Sequence, residues 1–144
     1  MVDRPPPRRT GAGERESLAV LLQYQRESAL AKLEGLDETS ARWSPVPTGT
    51  SLLWLMKHLS MAETIWVVHR FAGRTDVPLP ANELDDGDTV ASVAALYRST
   101  WAMVDEIVAG ASLDDDCAAL GDQSMVDLRW VLLHLLEETA RHAG

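Results

Sequence analysis

Apolar residues recur at helical spacing in four stretches of the chain. The first runs from about Glu14 to Leu36 and lines up Leu18, Leu22, Ala29, Leu33 and Leu36 on one side. Pro45 and Pro47 interrupt the pattern, and Thr48 to Ser51 offer N-cap side chains for the next helix. The second stretch, about Ser51 to Ala72, spaces Leu52, Leu55, Leu59, Ala62, Trp66 and His69 like the seam of a helical bundle, and Gly73 supplies a stop. Pro78, Pro80 and the acidic run Glu83 to Asp88 then predict a long surface loop. The third stretch, about Thr89 to Ala109, aligns Val90, Val93, Tyr97, Trp101, Val104 and Val108 and ends near Gly110. A second acidic loop through Asp114, Asp115 and Asp116 leads to a fourth helix starting near Asp127. No strand pattern of useful length and no repeat interrupts this order. The expectation is an all-α four-helix bundle over residues 14–144, preceded by a flexible Pro-, Arg- and Gly-rich arm at 1–13.

Composition narrows the possibilities. A chain of 144 residues fits one domain large enough to hold a core without covalent staples. The single cysteine, Cys117, rules out an internal disulfide framework and a cysteine-clustered zinc site. A net charge of −9 opposes a nucleic-acid partner, which would demand clustered cations. No segment approaches the roughly 18 apolar residues of a membrane span, and the charged start lacks the apolar core of a signal peptide. A cytoplasmic protein is expected. Arg outnumbers Lys by eleven to two, a bias that GC-rich coding sequence produces.

Candidate chemistry sits where polar residues occupy apolar positions. With Leu135 as reference on the fourth helix, Leu128 and Val131 lie within about 40°, His142 about 20° away and Glu138 about 60° away. Glu137 points outward. Glu138 and His142 therefore continue the apolar row one turn apart, where their side chains can converge. On the second helix His58 also leans inward, about 40° from Ala62. A buried unpaired carboxylate is costly, so Glu138 should be paired, protonated or bound to metal. Two imidazoles and one carboxylate leave a position open for water or substrate, the ligand count of a catalytic ion. The same residues also fit an ordinary hydrogen-bonded trio. His134, four residues before Glu138, falls on the flank and reads as a supporting residue. His69 is about 16 Å along the helix from His58, too far to share an ion.

The run Gly49-Thr50-Ser51-Leu52-Leu53-Trp54-Leu55-Met56-Lys57-His58-Leu59, followed by Glu63 and Trp66, resembles the second helix of DinB/YfiT-like proteins. Tyr24-Gln25-Arg26, Lys32-Leu33-Glu34-Gly35-Leu36, Leu128-Arg129-Trp130-Val131-Leu132-Leu133-His134 and Glu137-Glu138-Thr139-Ala140-Arg141-His142 are similar to an actinobacterial branch of that superfamily. The resemblance spans roughly residues 15–144. It implies an up-down-down-up bundle holding a divalent metal, zinc or nickel, between helices. The mycothiol-dependent maleylpyruvate isomerases, a related branch, use His, Glu and His, which places His58, Glu138 and His142 as the ligands here.

The resemblance further implies a metal-dependent transferase that activates a small thiol of the mycothiol type and passes it to an electrophilic substrate. Two other readings use the same residues: a metal-dependent hydrolase, and a non-enzymatic stress-associated binding module. Seam-like faces and five Trp allow a homodimer. Cys117, without a nearby His in sequence, is not expected to be the nucleophile, and Trp54, Arg141 and the loop of residues 74–88 are possible pocket walls. The pattern still reads as helix where the chain stops at Gly144, two residues past His142, whereas members of the branch continue for a further turn or more. The expectation is a C-terminus truncated or incompletely ordered, with the site loosened in consequence.

Overall fold

The computed structural model describes residues 13–119 and 126–143. All of the expected arm except Gly13 lies outside these residues, as does Gly144. Helix α1 spans Glu14–Glu34 and buries Leu18, Leu22, Ala29 and Leu33, with Leu30 and the unexpected Arg26 beside them. A short helix α2, Glu38–Arg42, follows, started by Asp37, whose carboxylate accepts a bond from the Ser40 N–H at 2.7 Å. Helix α3, Leu52–Glu63, begins where the Ser51 hydroxyl accepts from the Trp54 N–H at 3.1 Å. Helix α4, Val90–Ala109, opens on a reciprocal Thr89/Ser92 capping box. Helix α5, Leu128–Ala143, opens on Asp127, which accepts from the Trp130 N–H at 2.9 Å.

After Glu63 the second bundle helix widens into a π-helical segment, Thr64–Phe71, where a plain α-helix was expected. The Ser60 hydroxyl bonds back to the Met56 carbonyl at 3.0 Å and the Thr64 hydroxyl to the Ser60 carbonyl at 2.8 Å. Such back-bonds compete for the carbonyls of the ladder and bend helices. The buried side runs through Leu53, Met56, Ser60, Glu63 and Val67; of the expected seam Leu59 and Ala62 are buried, while Leu52, Leu55, Trp66 and His69 are half-buried edges. The terminal carbonyls of Arg70 and Phe71 accept from Ala119 and Ala118 N–H at 2.9 and 3.1 Å. Gly73 then turns with φ 69°, and a Cβ there would sit 3.2 Å from that of Ala118.

Contacts between helix ends fix the topology. Glu14 pairs with Arg129, so α1 and α5 start together and run parallel. Arg15 reaches the carbonyl of Val108 and Arg98 pairs with Glu34, so α4 runs opposite to α1. Arg26 meets Glu63 midway along α1 and at the end of α3, and Met56 shares a cluster with Leu33 of α1 and Val93 of α4. The result is the expected up-down-down-up bundle. Two parallel neighbours, α3 and α4, demand a connection that returns along the molecule, which explains the long segment 72–89.

Two apolar clusters fill the bundle, one near Val67, Val104 and Leu128, the other near Leu33, Leu53 and Tyr97. Between them lies a polar layer. Arg26, 1% exposed, gives Nε at 3.1 Å and Nη2 to the two oxygens of Glu63, itself 1% exposed, and Nη1 at 2.9 Å to Asp105. Burial pushes the Glu63 carboxyl above its ordinary range, and the Arg26 guanidinium opposes that shift. Among the described residues no helix is long and apolar enough to cross a membrane.

Candidate functional site

The upward-running α5 and downward-running α3 bring His58, Glu138 and His142 together. One donor atom from each lies within 4.8 Å of the others. His58 Nε2 is 3.2 Å from Glu138 Oε1, and the His58 and His142 rings meet edge to face at 5.6 Å. The fully buried row of α5 runs through Leu128, Leu135, Thr139 and Ala143 rather than His142. His142 and Glu138 flank it, half-buried, because that flank faces His58 across the α3–α5 groove. An open cavity of about 360 Å³ beside them is lined by His134, Glu137, Glu138, Arg141 and His142.

The ring of His58 is fixed from three directions. Trp54, one turn earlier on α3, stacks on it at 4.8 Å and 11°. Nδ1 faces Asn82 Oδ1 at 3.2 Å, and Nε2 faces Glu138. With acceptor oxygens on both nitrogens, His58 is drawn toward its protonated form: the bond to Glu138 raises its pKa and outweighs partial burial. The same bond holds the Glu138 carboxyl below its ordinary range. His142 moves the other way, because burial and then the nearby His58 disfavour its charge.

His134 takes the flanking place expected of it. Its Nε2 is 3.5 Å from Glu138 Oε2, and Trp130, one turn earlier, stacks on it at 4.9 Å and 13°. Glu138 is therefore held between two histidines, each backed by a tryptophan at i−4. His69 has a separate task, bonding the Val77 carbonyl at 2.7 Å. Arg141 lines the cavity and pairs with Glu137.

Asn82 had no sequence signal of its own. It reaches His58 because the segment 72–89 is tied down by distant residues. Lys57 donates to the Glu83 carbonyl and to Asp88 Oδ2, both at 2.7 Å, and Arg42 donates to the carbonyls of Asp85 and Asp88. The short helix α2 thus serves the site indirectly, and its Glu38 also accepts from the Val90 N–H at the start of α4.

The chain matches the description Mycothiol-S-transferase over residues 17–144. It belongs to the mycothiol S-transferase family. A crystal structure of a DinB-like protein from Bacillus cereus ATCC 10987 superposes with a TM-score of 0.62 at 18% identity, covering 88% of this chain and 84% of that one. That likeness carries the fold, which is DinB-like. No curated protein matches the chain.

The donor set of this mycothiol S-transferase family member fits a divalent ion. Two ligands on one tetrahedral ion are about 3.4 Å apart for bonds of about 2.1 Å; His58 and Glu138 stand 3.2 Å apart, and the full trio, within 4.8 Å, would close in slightly around an ion. Nitrogen and carboxylate donors suit zinc and nickel alike. The Asn82 carbonyl is placed to accept the Nδ1 proton of His58, which would leave Nε2 available to an ion. Asn82→Ala is expected to weaken metal binding about 10–100-fold while leaving helix content unchanged; a titration with zinc followed by calorimetry, showing equal affinities, would refute that role.

Proposed function

We propose that the protein transfers a small thiol of the mycothiol type to an electrophile at a divalent ion held by His58, Glu138 and His142. The observation that carries this reading is the convergence of those three donors, from two helices, beside a cavity in a member of the mycothiol S-transferase family. A divalent ion in such a site lowers the pKa of a coordinated thiol, so that a thiolate is available at neutral pH.

The side chains divide the remaining work. Asn82 and Trp54 hold the His58 ring so that Nε2 faces the groove. Depression of the His142 pKa keeps its ring neutral, the form that ligates. His134 Nε2 lines the cavity beside Glu138 Oε2, where it can accept the proton that the thiol gives up. Cys117 is buried with a raised pKa, first through burial and then through Asp116 and Asp127, which makes it a poor nucleophile and favours a thiol supplied by a small molecule.

Metal analysis of protein purified without a His-tag tests the first half of the reading. About one ion per chain is expected, and H58A should lose it; equal metal in both would remove the basis for the site. Turnover of an electrophile such as a haloaromatic should require added thiol. Turnover that proceeds unchanged without thiol would replace transfer by hydrolysis.

A further inference from the structure

The polar trio is not the end of the groove. Beyond His134 the α3–α5 groove continues as a ledge of aromatic rings. Trp66, from the π-helical segment, meets the His134 ring at 4.9 Å and 64° and the Trp130 ring at 5.2 Å and 52°. Arg70 lies over Trp66 with its guanidinium carbon 4.2 Å from the ring centre. Trp130 remains 43% exposed, an unusual state for so large an apolar side chain. His134 joins the ledge to the cavity, since it lines the cavity wall and stacks on Trp130.

Acidic residues outnumber basic ones by 22 to 13. Yet Arg70, like Arg15 and Arg42, has no carboxylate partner among the described residues, and it differs from them in lying over a tryptophan. A guanidinium stacked on tryptophan keeps its N–H fork free in the ring plane, where it can grip a carboxylate or sulfonate with two bonds. A planar hydrocarbon binds beside it by stacking on the open face of an aromatic side chain. Flat apolar surface ending in an unpaired cation selects a flat molecule ending in an anion.

We infer that the ledge formed by Trp66, Trp130 and Arg70 binds a planar aromatic anion, and that it holds the electrophile of the proposed transfer with its reactive end toward Glu138. The second half rests on the proposed function; the binding itself does not. Trp66 and Arg70, one turn apart in the π-helical segment Thr64–Phe71, supply one side of the ledge and Trp130 of α5 the other.

Calorimetric titrations with 2-naphthalenesulfonate and with the neutral 2-naphthalenemethanol test the binding. Metal-free wild type should bind the sulfonate at least tenfold more tightly than the alcohol. R70Q should lose that preference and bind both like the alcohol, and Trp130→Ala should weaken both about tenfold. Trp130→Leu, which keeps apolar bulk without the ring, should behave like the alanine variant if stacking is the cause. Equal affinity for the two probes in wild type, a preference retained in R70Q, or full affinity in both Trp130 variants would each overturn the proposal. If the metal reading fails and sulfonate binding persists, the ledge stands without the transfer; if metal is bound and the sulfonate is not, only the ledge falls.

Discussion

Arg26→Ala is expected to remove about 3–5 kcal/mol of folding stability, the cost of leaving a buried charge without its partner. Against a typical total of about 5–15 kcal/mol this is a large fraction. At roughly 2–4 °C per kcal/mol for a domain near this size, the melting temperature should fall by on the order of 10 °C. The loss arises from Glu63, which is fully inside the bundle and whose two oxygens both face the Arg26 guanidinium. Asp105, which is 61% exposed, can return to water and adds little. The sign of the pH dependence identifies the cause. Without Arg26 the carboxyl of Glu63 has a strongly raised folded pKa, so its contribution is favourable below the unfolded value and is lost as pH rises through the folded one. The deficit of the variant should therefore shrink on acidification toward the ordinary carboxylate range. Urea unfolding at several pH values measures this, with Arg26→Met/Glu63→Leu as the control that removes both charges. That double variant should recover most of the loss. A single-variant loss below about 1 kcal/mol, or a double variant no better than the single, would show that the pair is not what holds the layer.

Glu138→Ala should have the opposite profile: activity lost, fold kept. Partners that only orient a ligand are worth about 10–100-fold in metal affinity or activity. Removing a ligand should therefore cost more than about 100-fold in thiol transfer. Its contact with His58 lies in a partly open groove, with both side chains more than a fifth exposed. Screened pairs of this kind contribute on the order of 0–1 kcal/mol, so the unfolding midpoint should barely move. Bound metal, thiol transfer and the urea midpoint measured on one preparation decide the matter. Retention of metal and activity would move the proposed site elsewhere, and a collapse of the fold would make Glu138 a structural residue.

The helices of the bundle were legible because each carries a long apolar row; Ser51 caps its helix within the expected Thr48–Ser51 stretch, and Thr89 stands at the expected start of the next. Helix α2 was not, since five residues are too few to display periodicity. The widening after Glu63 left only Ser60 and Thr64 four residues apart as a sign, and that spacing is common in unbent helices. Arg26 was hidden in plain view. It occupies the buried row between Leu22 and Ala29, where helical spacing alone does not distinguish a buried charge from one at the edge of the row. His58, Glu138 and His142 were found because each interrupts such a row, and the structure brings them together. Asn82 could not be found that way: its position depends on Lys57 and Arg42 gripping a loop, a long-range arrangement with no local pattern.

The polar layer and the histidine groove use different sets of helices. Arg26, Glu63 and Asp105 join α1, α3 and α4, whereas His58, Glu138 and His142 join α3 and α5. The contact from His58 to Glu138 closes over 80 residues and that from Arg26 to Asp105 over 79, so both wait on the return of a distant segment. They differ in which helices they tie. Anything that bridges the histidine groove joins α5 to α3, and occupancy of the site would be felt as slower departure of α5 from the bundle.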